Sequence, residues 1–295
     1  MESTVCSLCG EDRPRLLYRK FDLDISTCRA CGFVYAGPNR LTREETWNRY
    51  SSDYFFNELL PSLGVIDGKV DLATVDGRHH RPLAHIRPYR RLGRLIEIGS
   101  GAGLFLKAAE RDGWNVTGLE LMEAGVEFSR TTLGLDVQQA AFEDADLPAG
   151  AHDVVAIFEV IEHISDPKRM LRRLLTLLRP GGCLVLSTPN ISSLSHCALR
   201  RSWAVLSPAE HLSYFNEQTL HTMLRETGFV NARFDRHYAG DGRFETMLPT
   251  HSHEPHSRRT RAYASLVGRL SPFLIRHVQR LGWADGLHGL AQRPE

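Results

Sequence analysis

The sequence predicts an α/β fold: a doubly wound, mostly parallel sheet with helices on both faces, preceded by a small cysteine-rich module. Three observations carry this. From Arg94 onward, short apolar runs alternate with segments of helical period. One run, Arg94-Leu-Ile-Glu-Ile98, passes through a glycine-rich turn into Leu104-Phe-Leu-Lys-Ala-Ala109. Two Cys-x2-Cys-Gly pairs stand near the N-terminus. The 295 residues suffice for one large domain plus a small module.

The cysteine pairs are Cys6-x2-Cys9 and Cys28-x2-Cys31, each followed by glycine. The glycine turn lets both thiolates of a pair face one ion, so the four predict a structural zinc ribbon over 1–37. Four sulfurs leave no open position for substrate. Two redox-active motifs are the alternative, but neither pair has the strand–helix context such motifs use. Cys183 falls in a predicted buried strand, and Cys197 has no partner at a recognisable spacing. A strand is expected at 32–35, closed by Gly37-Pro38-Asn39.

Residues 38–90 read as a helical linker or lid, with aromatics at Trp47, Tyr50, Tyr54, Phe55 and Phe56. The sheet domain occupies 91–295. Its strands are expected at 95–98, 116–120, 136–139, 153–158, 183–188, 229–235 and 287–292. The run 153–158 is apolar throughout, which suits the sheet centre. Asp166-Pro167 caps a helix striped by Met170, Leu171, Leu174, Leu175 and Leu178, and Pro180-Gly-Gly182 stops it. Asn216 is the expected N-cap of 217–227, with Gly228 as its stop. An insertion covers about 237–282. Its first part holds His237, His251, His253 and His256, its second part is rich in arginine, and Pro272 should divide it into two helices. It reads as a lid, as a docking surface for a partner or an anionic membrane, or as solvated arginines on a packed helix pair.

The glycine turn is Glu97-Ile-Gly99-Ser-Gly101-Ala-Gly103. Glycine without Cβ lets backbone N–H groups approach a ligand. Glu120 follows at the end of the next strand, about 20 residues on, a spacing that suits a carboxylate on ribose hydroxyls. Leu104 stands where a dinucleotide fingerprint needs its third glycine, which favours a mononucleoside cofactor. With 36 basic against 35 acidic residues the net charge is +1, so no global pull toward nucleic acid or membrane is implied. No run approaches the roughly 18 apolar residues of a transmembrane span, and the start lacks the regions of a signal peptide. A cytoplasmic address is expected, with cysteines reduced or bound to metal.

Five separated motifs together resemble class I S-adenosylmethionine-dependent methyltransferases: the 97–103 loop, Glu120, Phe158-Glu-Val-Ile-Glu-His163, Leu178-Arg-Pro-Gly-Gly182 and Ser187-Thr-Pro-Asn190. The likeness covers about 91–235. It implies a Rossmann-like, seven-stranded sheet whose last strand is antiparallel. It implies S-adenosylmethionine held by Glu97, Gly99, Gly101 and Gly103 on the methionine side and by Glu120 on the ribose. Ala141-Phe142-Glu143 would lie beside the adenine, and Phe158 joins the cofactor residues. Phe142 reads equally as a core residue. The ribbon joined to this domain also looks like some sugar C-methyltransferases.

Methyl transfer from a sulfonium needs mostly alignment, and a hydroxyl acceptor also needs a base. Glu159, Glu162 and His163 follow the fourth strand, and His211 follows the fifth, at the sheet edge where such folds bind ligands. The spacing Glu159-x-x-Glu162-His163 with a later histidine resembles the metal signature of ubiquinone-pathway and small-RNA 2′-O-methyltransferases. Mg²⁺ or Mn²⁺ would suit that donor set. Otherwise these histidines act as a base, shape the cleft or cap the next helix. The expected acceptor is a small molecule, such as a sugar, quinone, phenol or secondary-metabolite intermediate, methylated at oxygen. The alternatives are sugar C-methylation, RNA 2′-O-methylation and a catalytically inactive cofactor-binding module. Nucleic acid is disfavoured because the arginines are not interleaved with stacking aromatics.

Overall fold

In a computed structural model of the chain, residues 5–37, 52–236, 258, 262, 263, 265 and 272–295 are described. Trp47, Tyr50 and most of the insertion, including His237, His251, His253 and His256, lie outside them.

The N-terminal module is an antiparallel meander of β1 (Pro14–Lys20), β2 (Leu23–Cys28) and β3 (Val34–Gly37). Phe21 and Asp22 turn the first hairpin with φ of 52° and 60°, the left-handed pair that matches strand twist in a two-residue loop. Strand β3 starts later than the sequence suggests. Gly32, at φ 77°, still belongs to the cysteine knuckle, where its N–H donates to the Cys28 carbonyl at 2.9 Å.

A short helical stretch follows: Ser52–Tyr54, the π-turn Phe55–Leu59 and Leu60–Ser62. Helix α1 (Leu72–Ile86) is capped by the Asp71 side chain, which accepts from Ala73 N–H. The sheet domain then runs β4 (Arg94–Ile98), α2 (Leu104–Arg111), β5 (Asn115–Glu120), α3 (Glu123–Thr131), β6 (Val137–Gln139) and β7 (His152–Phe158). It continues through α4 (Pro167–Leu177), β8 (Leu178–Pro189), α5 (Leu194–Leu199), β9 (Ser213–Tyr214) and α6 (Glu217–Glu226). It ends with β10 (Val230–Phe234), α7 (Pro272–Arg280) and β11 (Gly286–Gln292).

The large sheet has seven strands in the order β10-β11-β8-β7-β4-β5-β6. Strands β4 to β8 of this sheet are parallel, and β11 is antiparallel to both neighbours. The last-strand reversal is as the resemblance implied. At the centre, Val154, Val155, Ala156 and Ile157 of β7 are 0% exposed, because helices cover both faces. One face packs on Ile86, Phe105, Leu106 and Phe128 of α1, α2 and α3. The other packs on Leu171, Leu174, Leu220 and Met223 of α4 and α6.

One boundary departs from expectation. Helix α4 ends at Leu177, and Leu178-Arg-Pro-Gly-Gly182 already lies in β8. The register explains it: His152 faces Leu178 and Val154 faces Cys183, so residues 179–182 bulge from the ladder. The bulge is pinned by Arg179, whose Nε donates to Asp153 Oδ1 at 2.5 Å. The other oxygen of Asp153 accepts backbone N–H groups from Arg91, Leu92, Gly93 and Arg94, which fixes the entry to β4. The small module is not isolated from this domain: β9 adds to its sheet as the fourth strand, next to β3.

Candidate active site

The turn between β4 and α2 brings the glycines where the sheet order reverses, between β4 and β7. A Cβ on Gly99 (φ 72°) would lie 2.7 Å from Val160 Cγ2, and one on Gly103 (φ 71°) 2.7 Å from Ser129 Oγ. Both positions therefore demand glycine on steric and conformational grounds. Glu120 Oε2 accepts the Gly101 N–H at 2.6 Å, while Oε1 accepts Leu121 and Met122 N–H at 2.6 and 2.8 Å. The carboxylate thus braces the turn. Burial raises its pKa, against the lowering effect of these three donors. Glu97 Oε2 and Ser100 Oγ are buried without a hydrogen-bond partner among the described residues. Burial, and then the charge of Glu120, push Glu97 well above the ordinary carboxylate range. A buried turn with orphaned polar atoms and glycines too tight for side chains fits a polar nucleoside cofactor.

Other predicted residues divide. Phe142 is buried in the core beneath the Arg173 guanidinium, 4.5 Å from its ring centre. Glu143 is exposed. Phe158 stands edge-on to Phe105 at 4.7 Å, on the glycine-loop side of β7. Leu59, in the π-turn, is 3.7 Å from where a Cβ on Gly101 would sit, and Phe55 packs against Phe128 at 5.8 Å. The turn preceding the sheet domain therefore lies directly on the glycine loop.

The opposite wall follows β7. Glu159 turns the chain at φ 53°, and a 3-10 turn, Ile161–His163, comes next. Ser187 Oγ donates to Glu159 Oε1 at 2.7 Å, and Thr188 Oγ1 to Glu162 Oε2 at 2.9 Å. No protein donor reaches Glu162 Oε1 among the described residues. Burial first, and then the neighbouring Glu159, push Glu162 well above the ordinary carboxylate range. Sequence reasoning gave Ser187 and Thr188 no role, although two hydroxyls ending an apolar strand at the ligand edge were a usable signal.

His163 and His211 meet with ring centres 4.7 Å apart. His163 Nδ1 donates to the Glu210 carbonyl at 3.1 Å and His211 Nδ1 to the Val205 carbonyl at 2.8 Å. A carbonyl only accepts, so each ring carries a proton on Nδ1. Burial, with His211 beside it, lowers His163 to about 3; burial also lowers His211. Donor atoms of Glu162, His163 and His211 lie within 4.8 Å of one another. Glu159 is outside that group, exposed and turned to Ser187.

The four ribbon thiols also lie within 4.8 Å of one another, with Cys6–Cys31 at 3.6 Å and Cys9–Cys28 at 3.5 Å. Four sulfurs tetrahedral about zinc at 2.3 Å stand about 3.8 Å apart, so the cluster fits a zinc ion. Gly10 and Gly32 donate to the Cys6 and Cys28 carbonyls at 2.8 and 2.9 Å, closing matched knuckles.

The strand order, the glycine turn and the braced Glu120 define the fold of class I S-adenosylmethionine-dependent methyltransferases. The family profile described as a methyltransferase domain matches residues 76–233, more than half of the chain, and the chain belongs to that family. The chain is 33% identical over 138 residues to the ubiquinone biosynthesis O-methyltransferase of Cronobacter sakazakii, covering 39% of this chain and 54% of that protein. It is likewise 33% identical over 126 residues to the same-named protein of Pseudomonas aeruginosa, covering 37% and 54%. The chain thus spans about half the length of these relatives. Among solved structures, an S-adenosylmethionine-dependent methyltransferase from Mesorhizobium loti aligns with TM-score 0.51 at 19% identity, over 74% of this chain and all of that one. One from Archaeoglobus fulgidus gives 0.51 at 20%, over 76% and 95%. At such identities these two speak for the fold alone. Among the described residues, no helix is long and apolar enough to cross a membrane.

Proposed function

We propose that this protein transfers the methyl group of S-adenosylmethionine to a hydroxyl of a small acceptor of the quinol or phenol type. The observation that carries the reading is the cluster of Glu162, His163 and His211 at the end of β7, with each imidazole held by its Nδ1–H on a backbone carbonyl. The names of the similar proteins supply the acceptor class. Glu97, Gly99, Gly101, Gly103 and Glu120 hold the cofactor, with Phe158 beside it. Phe142, under Arg173, serves the core. Glu143 is left with no contact that argues for a cofactor role.

Glu162, His163 and His211 also make a donor set for Mg²⁺ or Mn²⁺. Their Nδ1 bonds to backbone carbonyls orient the rings as ligand histidines are oriented. Such an ion would lower the pKa of the acceptor hydroxyl. The ribbon 1–37 carries zinc on Cys6, Cys9, Cys28 and Cys31, and the turn at 52–62 roofs the cofactor. A cytoplasmic address belongs with this reading, since clustered thiols need metal or a reducing compartment. Formation of S-adenosylhomocysteine, followed over a panel of catechols, quinols and sugars with and without divalent ion, tests it. Turnover on a catechol or quinol that His163→Ala and His211→Ala each lower about 10²–10⁴-fold is expected. Wild-type turnover in the double variant would remove both histidines from the chemistry.

A further inference from the structure

The ribbon and the acceptor-side cluster are joined through backbone. The second knuckle runs through Phe33 into β3, with Cys28 N–H donating to the Phe33 carbonyl at 2.8 Å. The free edge of β3 then pairs with β9, Val34 facing Tyr214 and Tyr35 facing Ser213. Next along, Ala36 N–H donates to the Leu212 carbonyl at 3.0 Å. Leu212 N–H in turn donates to the Glu162 carbonyl at 2.7 Å. Leu212 directly follows His211. The peptide beside one histidine is therefore clamped between the ribbon strand and the turn that carries Glu162 and His163. Side chains repeat the link. Phe33 lies 5.3 Å from Phe215, both 0% exposed, in the core that also takes in Cys6, Cys28 and Ile161. The first knuckle is tied down as well, with Leu8 O accepting from Lys168 Nζ in the first turn of α4.

We propose that the four-cysteine ribbon is a positioning element of the acceptor side: it holds β3 as the template for β9, and so sets His211 against Glu162 and His163. A four-thiolate site has no open position and no substrate chemistry of its own. Its metal binding is coupled to folding, and here the segment that folding orders is β3. Strand β9 is only two residues long: Phe215 after it is bridged to Asn190 and accepts the Ile191 N–H at 2.8 Å, and the β3 edge holds the side that leads back to His211. Among the described residues no hydrogen bond joins the glycine loop or Glu120 to the ribbon, although Ile98 before that loop shares a core with Phe33, so on this proposal cofactor binding depends on the ribbon far less than the acceptor side does. Misplacement of a reacting group by about 1 Å costs on the order of 10²-fold in rate. The proposal rests on the reading of His163 and His211 given above for its kinetic consequence, though not for its structural one.

Ala36→Pro tests it, since it deletes the N–H donated to Leu212 and leaves all four cysteines. The full chain labelled with 15N-histidine is compared as wild type, as Ala36→Pro, as Ala36→Val and after zinc removal by chelator. His163 and His211 signals are assigned with His→Gln variants. Ala36→Pro should keep wild-type zinc content and wild-type affinity for S-adenosylhomocysteine. Its His163 and His211 ring signals should move, and acceptor turnover should fall about 10²-fold. Chelated wild type should show the same moved signals with cofactor affinity intact, and Ala36→Val, which keeps the N–H, should match wild type. Unmoved ring signals in both Ala36→Pro and the chelated protein would overturn the proposal and leave the ribbon as an independent module. So would loss of cofactor binding on chelation, because the ribbon would then support the whole domain. Should no acceptor be turned over by wild type, the functional reading fails while the ring signals still decide this inference.

Discussion

At the scale of single residues, the Glu120 carboxylate accepts three backbone N–H groups of its own turns, and under the proposed function it also holds the ribose of the cofactor. Glu120→Ala should weaken S-adenosylmethionine by on the order of 1.5–3 kcal/mol for each hydrogen bond to the charged acceptor that is lost. Calorimetric titration reads this directly, with circular dichroism to confirm the fold. An unchanged dissociation constant would take Glu120 out of the site. His288, on β11, offers a pH test. Burial lowers its pKa to about 3 from 6.5, against the raising charge of Asp235. The unfolded chain then binds the proton first, so this share of stability is present above about pH 6.5 and is lost as pH falls toward 3. The loss is at most about 1.4 kcal/mol per pH unit. The urea-unfolding stability of wild type relative to His288→Gln should therefore shrink between pH 7 and pH 5. Parallel profiles would show that His288 is not desolvated. Of the candidate residues, Glu162, His163 and His211 come together as strand-end positions suggested, whereas Glu159 turns away to Ser187 and Phe142 packs in the core. What could not be read was their support. The carbonyls of Val205 and Glu210 that fix both imidazoles belong to peptide groups, which carry no side-chain identity.

At the scale of elements, the apolar runs and helical stripes placed every strand of the large sheet to within a few residues. The Asn216 cap was also legible, and it forms a reciprocal pair with Thr219. The stop of α4 was misread because Pro-Gly-Gly commonly ends a helix. Here tertiary contacts decide instead: Leu178 already pairs with His152, and the bulge is held by Arg179 on Asp153. This buried ion pair anchors three elements, since Asp153 also collects the N–H groups that lead into β4. Asp153→Ala should destabilise the domain by about 3–5 kcal/mol, because the buried guanidinium keeps its bonds to the Pro180 and Tyr89 carbonyls but loses its counter-charge. Urea denaturation measures it, and a loss below about 1 kcal/mol would assign the bulge to packing alone. The pairing of β3 with β9 was likewise invisible, since a two-residue strand has no period and its partner lies far away along the chain.

At the scale of the whole molecule, the proposed function assigns the glycine-turn side of the parallel sheet to the cofactor and the Glu162–His211 side, which the ribbon abuts, to the acceptor. Family membership accounts for the first side, because its glycine turn and acidic residue are local and ordered along the chain. The proposed acceptor side is assembled from segments around Glu162, His211 and Val34 that only the folded chain brings together. For that reason the acceptor was never readable from spacing. The most direct measurement follows the methyl group itself. The enzyme is supplied with S-adenosylmethionine carrying a 13C-methyl and with a catechol acceptor, and the product is read by carbon NMR. A methyl carbon bonded to oxygen is expected, formed at a rate that His211→Ala sharply reduces. A methyl found on carbon, or an O-methyl product that forms at the wild-type rate without both histidines, would contradict the proposed function.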